Sequence, residues 1–108
     1  MTALGLATLE WVDPETQDRR TYILHADERS VIGRADDCAV CIHERHVSRH
    51  QAQIVYHDGA FYIADAESTG PFFVNDRRVV GEMPLKSGDV IRLYVVTLTF
   101  RLAPNRRK

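Results

Sequence analysis

The chain has 108 residues, 44% of them apolar, with 14 Lys and Arg against 15 Asp and Glu and a net charge of −1 at neutral pH. That length fits one globular domain, able to bury roughly two-thirds of its unfolded surface without disulfide staples. A near-neutral balance supplies no bulk field for a nucleic-acid duplex, and no apolar run approaches the ~20 residues of a membrane-spanning helix.

No window keeps apolar residues at i, i+3, i+4 and i+7 over three turns, so no substantial helix is expected. Short β-rich runs separated by turn residues fill the chain instead. Leu4 to Val12 comes first and is ended by Asp13-Pro14; Thr21 to His25 follows, then Ser30 to Ile32 closing on Gly33. Ala39 to Ile42 is short, and Gln51 to Tyr56 places Ala52, Ile54 and Tyr56 on one face. Asp58-Gly59 is a two-residue hairpin signal leading to Ala60 to Asp65, because such a turn needs positive φ. Phe72 to Val74 and Arg77 to Val80 form a second hairpin around Asn75-Asp76, and Ser87-Gly88-Asp89 turns into Val90 to Leu93. Ile91 and Leu93 share one parity, whereas Val96, Leu98, Phe100 and Leu102 share the other. One strand cannot bury both sets on one face, so a bend or turn near Tyr94-Val95 is expected. About ten short strands of this kind predict an all-β sandwich or barrel.

Sandwiches carry function on the loops at their ends. Gly33-Arg34, Val47-Ser48-Arg49 and Ser68-Thr69-Gly70 together offer two guanidinium groups, several hydroxyls and loop amides. Those are the donors a tetrahedral dianion requires: a phosphothreonine carries about −1.5 to −2 charges and three acceptor oxygens, which an arginine fork matches.

From about Tyr22 to Phe100 the chain resembles the forkhead-associated (FHA) domain. The resemblance rests on Val31-Ile32-Gly33-Arg34, Val47-Ser48-Arg49 with Ala52 downstream, Asp65 followed by Ser68-Thr69, Phe73-Val74-Asn75, and Leu85 to Leu93. It implies an eleven-stranded antiparallel β-sandwich that binds phosphothreonine peptides through loops at one end, without catalysis. By position, Arg34, Ser48, Arg49 and Thr69 match the phosphate-contacting residues. Gly33 matches the glycine that shapes the backbone before the arginine, and Asn75 stands among the loop supports. Three residues depart from the family pattern. Gln51 stands where a bracing histidine is usual, and Gln offers both a donor and an acceptor in its place. Gly70 and Pro71 replace the asparagine and glycine that follow the threonine, and that asparagine normally grips the peptide main chain. Losing its contact should weaken binding roughly tenfold.

Cys38-x2-Cys41 with His46 and His50 imitates a zinc-knuckle spacing. A strand over Ala39 to Ile42 would splay the cysteines apart, however, so no metal or cofactor is expected, with Cys41 a small core residue and Cys38 a partly exposed thiol. His43, His46 and His50 read as loop histidines beside the phosphate site, and Asp36, Asp37 and Glu44 as turn and surface residues. No nucleophile elbow, phosphate-cradling glycine loop or HExxH motif is present, so no enzyme is expected.

These readings give one domain over residues 1–103, with 104–108 as a basic tail or the start of a linker. Arg19 is the first basic residue and no signal-peptide pattern precedes it; with two cysteines only, a reducing cytoplasmic setting is expected. The expected partner is a phosphothreonine-containing protein, a Ser/Thr kinase or its substrate, and the expected role is Ser/Thr kinase-linked signalling. Gly70 and Pro71 keep open an alternative, a phospho-independent interaction or assembly module on the same sandwich.

Overall fold

A computed structural model describes residues 6–66 and 70–103. Among them are eleven strands and no helix: β1 (Ala7–Val12), β2 (Arg19–Leu24), β3 (Ser30–Gly33), β4 (Val40–Cys41), β5 (Ala52–His57), β6 (Ala60–Asp65), β7 (Phe73–Val74), β8 (Arg77–Arg78), β9 (Glu82–Pro84), β10 (Val90–Leu93) and β11 (Val96–Leu102). One sheet has the order β2-β1-β11-β10-β7-β8 and the other β4-β3-β5-β6-β9. The two sheets form a sandwich that does not close into a barrel.

Alternation along each strand supplies the core. Ala7, Leu9 and Trp11 of β1 and Val96, Leu98 and Phe100 of β11 are buried from one sheet; Ala52 and Ile54 of β5 and Phe61 and Ile63 of β6 are buried from the other. Phe61 and Phe100 meet across the layers edge-to-face at 5.7 Å. Each such ring contributes about 1.5–3 kcal/mol through the apolar surface it removes from water.

The turns follow the expected chemistry. Asp58 (φ 53°) and Gly59 (φ 81°) close β5 on β6, and Asn75 (φ 51°) and Asp76 (φ 68°) close β7 on β8. The parity change before β11 is resolved by a two-residue turn: Leu93 pairs with Val96, and Tyr94 takes φ 59°. β9 is the strand that sequence reading missed. It is short and contains Pro84, which cannot donate to a ladder; it lies on the outer edge of its sheet, where a proline is tolerated.

Two expectations are corrected. The pairs are antiparallel except β3–β4, which is parallel, with Ile32 beside Val40 and Gly33 beside Cys41. The cysteine environments are also reversed. Strand β4 turns Val40 and Ile42 inward, so Cys41 between them is only half-buried, whereas Cys38 is tucked under the preceding turn and buried. Residues 104–108, the expected tail, lie outside the described residues, as does the start of the Leu4 to Val12 run. No helix of the described residues is long and apolar enough to cross a membrane.

Candidate functional site

Gly33 ends β3 and brings the Arg34 backbone against the loop before β5. A Cβ on Gly33 would stand 2.2 Å from the Arg49 carbonyl oxygen, so close approach, not a left-handed backbone, requires glycine here. The Arg34 amide donates to the Ser48 carbonyl at 3.0 Å, and the Ala35 amide to the Arg49 carbonyl at 3.1 Å. Arg34 Nε donates to the Val47 carbonyl at 3.0 Å. That bond fixes the guanidinium plane, while both terminal Nη groups have no partner among the described residues.

The loop from Glu44 to Gln51 is fastened from within. The buried Gln51 side chain accepts from the Ser48 amide at 2.9 Å and donates through Nε2 to the Gly70 carbonyl at 2.9 Å. One amide group thus ties the Ser48 loop to the β6–β7 connection. Ser48 Oγ would lie 3.9 Å from a Cβ placed on Gly70, so the hydroxyl and the glycine backbone are neighbours. The next two residues hold the connection differently. Pro71 is exposed and leaves no buried N–H unmet, and Phe72 is fully buried.

Arg34, Ser48, Gln51 and Gly70 therefore come together at one end of the sandwich, with the Arg49 backbone packed against Gly33. Neither Arg34 nor Arg49 has a carboxylate within 4.0 Å among the described residues. Ser68 and Thr69 lie outside the described residues. Asn75 belongs to the other end of the molecule, where its side chain donates to Asp89 and accepts from the Val90 amide.

Each loop histidine sits beside a carboxylate: His43 near Asp13 and Glu15, His46 by Glu44, and His50 by Asp37. His46 also stacks on Tyr94 at 4.3 Å. That contact brings the β10–β11 turn to the end that carries Arg34 and Ser48, a feature sequence reading missed; parity revealed the turn but not its neighbour. Burial opposes ionisation of Asp13, yet the amides of Glu15 and Thr16 together with His43 hold its carboxyl below the usual value. Burial pushes the Cys38 thiol up, so it is no ready nucleophile.

The chain shares this architecture with solved structures. An FHA domain studied for phosphothreonine-dependent interactions is 32% identical over 93% of this chain and 99% of its own, with a TM-score of 0.78. The FHA domain of FhaA, complexed with the intracellular domain of Rv3910, is 33% identical over 88% of this chain and 99% of its own, with a TM-score of 0.74. Mycobacterium tuberculosis EmbR, in complex with a low-affinity phosphopeptide, is 27% identical over 94% of this chain and 26% of its own, with a TM-score of 0.74. Comparison with curated proteins finds no match. The family model for the FHA domain matches residues 30–94, more than half of the chain, and the chain belongs to that family.

Proposed function

We propose that the chain is a non-catalytic reader of phosphothreonine peptides, serving Ser/Thr kinase-linked signalling in the cytoplasm. The observation that carries this reading is the Arg34 guanidinium beside the Ser48 loop, anchored through Nε and with no partner for its Nη groups among the described residues. A charge-assisted bond from such a pre-oriented donor contributes about 1.5–3 kcal/mol, and a hydroxyl donor such as Ser48 about 0.5–1.5. Arg49 adds a second cation with no ion pair among the described residues, and Thr69 joins the set by its sequence position. Gly70 offers a main-chain surface whose carbonyl Gln51 already occupies, so the peptide main chain lacks the side-chain grip that an asparagine there would give.

Binding is measured by fluorescence anisotropy with a degenerate phosphothreonine peptide pool, against phosphoserine and unphosphorylated pools. The expected result is binding confined to phosphothreonine and weakened at least tenfold by Arg34→Ala. Equal binding of phosphorylated and unphosphorylated pools would replace this reading with the phospho-independent interaction module.

A further inference from the structure

A second polar cluster, outside the residues proposed to contact phosphate, lies behind Arg34, whose carbonyl accepts from the Cys41 thiol at 3.5 Å. Strand β4 turns Cys41 toward solvent, and His43 follows two residues later on the same side. Their side chains meet, with Cys41 Sγ 3.5 Å from His43 Nε2. The Asp36 carboxylate completes a group whose ligand atoms all lie within 4.8 Å of one another. We propose that Asp36, Cys41 and His43 form a zinc-binding site, with water as the fourth ligand.

The geometry suits zinc. Zn–S of about 2.3 Å and Zn–N of about 2.0 Å at a tetrahedral angle place the two ligand atoms about 3.5 Å apart. The other ring nitrogen of His43, Nδ1, faces Asp13 Oδ2 at 3.5 Å and Glu15 Oε1 at 3.8 Å. A carboxylate on Nδ1 holds the proton there and leaves the Nε2 lone pair directed at the metal position, as in carboxylate–histidine–zinc triads. Asp13 is suited to that positioning role. Its carboxyl is buried, Oδ1 accepts from the Glu15 and Thr16 amides at 2.8 and 3.2 Å, and among the described residues Oδ2 meets His43 and Arg20. Burial first, and then the Asp36 and Asp13 carboxylates, push the Cys41 thiol up, so the metal-free protein keeps its proton. On binding, an S–Zn bond replaces the S–H bond, and the thiol proton passes to solvent.

This set differs from the knuckle spacing in the sequence. Among the described residues, none of the clusters of potential ligands holds both cysteines or includes His46. Cys38 instead stands with Asp37 and His50, but its thiol is buried where that of Cys41 is half-buried, and Asp37 already occupies His50 Nε2.

The test uses Co²⁺ as a spectroscopic probe, added to the full chain under a phosphine reductant with no peptide present, so its outcome is independent of phosphothreonine binding. One equivalent should produce a thiolate-to-cobalt charge-transfer band in the near ultraviolet, which Zn²⁺ then abolishes. Cys41→Ser and His43→Gln should each remove the band, Cys38→Ser should leave it, and Asp13→Asn should weaken Co²⁺ affinity about 10–100-fold. Circular dichroism of each variant separates loss of the site from loss of the fold; should Cys41→Ser fail to fold, His43→Gln decides. Absence of the band in the wild-type chain, or a band that depends on Cys38 and survives in the folded variant at Cys41 or His43, overturns the proposal.

Discussion

The two ends of the sandwich are built on opposite principles. At the end carrying Asn75 and Ser87 to Val90, the polar groups satisfy one another. The buried Asp89 accepts from Asn75 Nδ2 at 2.9 Å and from the Lys86 amide at 2.8 Å, and the Asn75 amide group also receives the Val90 N–H at 3.0 Å. At the other end, internal bonds hold backbone in place while cationic tips are left unmet. Gln51 pins two loops and Val47 pins Arg34 Nε, but the Arg34 Nη groups and the Arg49 guanidinium find no carboxylate among the described residues. Closed polar networks stabilise a fold; donors held in place without partners await a ligand. On the proposed function, the contrast puts stability at one end and recognition at the other.

Substitutions can separate the two properties. Gly33→Ala should have the largest effect, about 3 kcal/mol or more of stability, because its Cβ would meet backbone that cannot rotate away. Urea unfolding measures that loss, and phosphopeptide binding should fall with it. Gln51→Ala should cost about 2–3 kcal/mol by leaving the Ser48 amide and Gly70 carbonyl without their partner, and it should weaken binding as the two loops separate. Asp89→Ala should destabilise by about 2 kcal/mol, yet phosphopeptide affinity at temperatures well below melting should be unchanged. Arg34→Ala should show the reverse pattern. Affinity falls at least tenfold while stability drops by only about 1 kcal/mol, for the lost bond to Val47.

The smallest effect concerns His57, beside the β5–β6 turn at the closed end. Its hydrogen bond to Asp58, reinforced by Glu82 and opposed by slight desolvation, raises its pKa above the ordinary 6.5. A raised value in the folded state stabilises the protein fully below pH 6.5, and this contribution disappears as pH rises through the raised value. An NMR titration of the imidazole should place its midpoint above 6.5, and Asp58→Asn combined with Glu82→Gln should bring it back.

Much of this arrangement was legible in the sequence where local chemistry decides it. Asp58-Gly59 announces its turn because few dipeptides tolerate two positive φ values, and the parity change between Leu93 and Val96 locates a turn even though Tyr94 is a poor turn residue. β9 was not legible, since Glu82-Met83-Pro84 has neither length nor β-propensity and is a strand only because the β6 edge is there to pair with. The cysteine environments depend on which side of the β4 segment turns inward, and Val40 and Ile42, not Ala39 and Cys41, are the buried pair. At the site, residue order marked Arg34, Ser48 and Arg49, but Gln51's reach to Gly70 and the meeting of His43 with Asp13 are products of topology. Residues nineteen and thirty positions apart carry no local sign of contact.

The most direct measurement is a map of backbone amide chemical shifts as a phosphothreonine peptide is titrated into the ¹⁵N-labelled chain. The account predicts perturbations concentrated at Arg34, Ser48, Arg49 and Gly70, with Asn75, Asp89 and Val90 unmoved. Shifts centred on the closed end, or spread along a sheet face while the Arg34 and Ser48 amides stay in place, would contradict it.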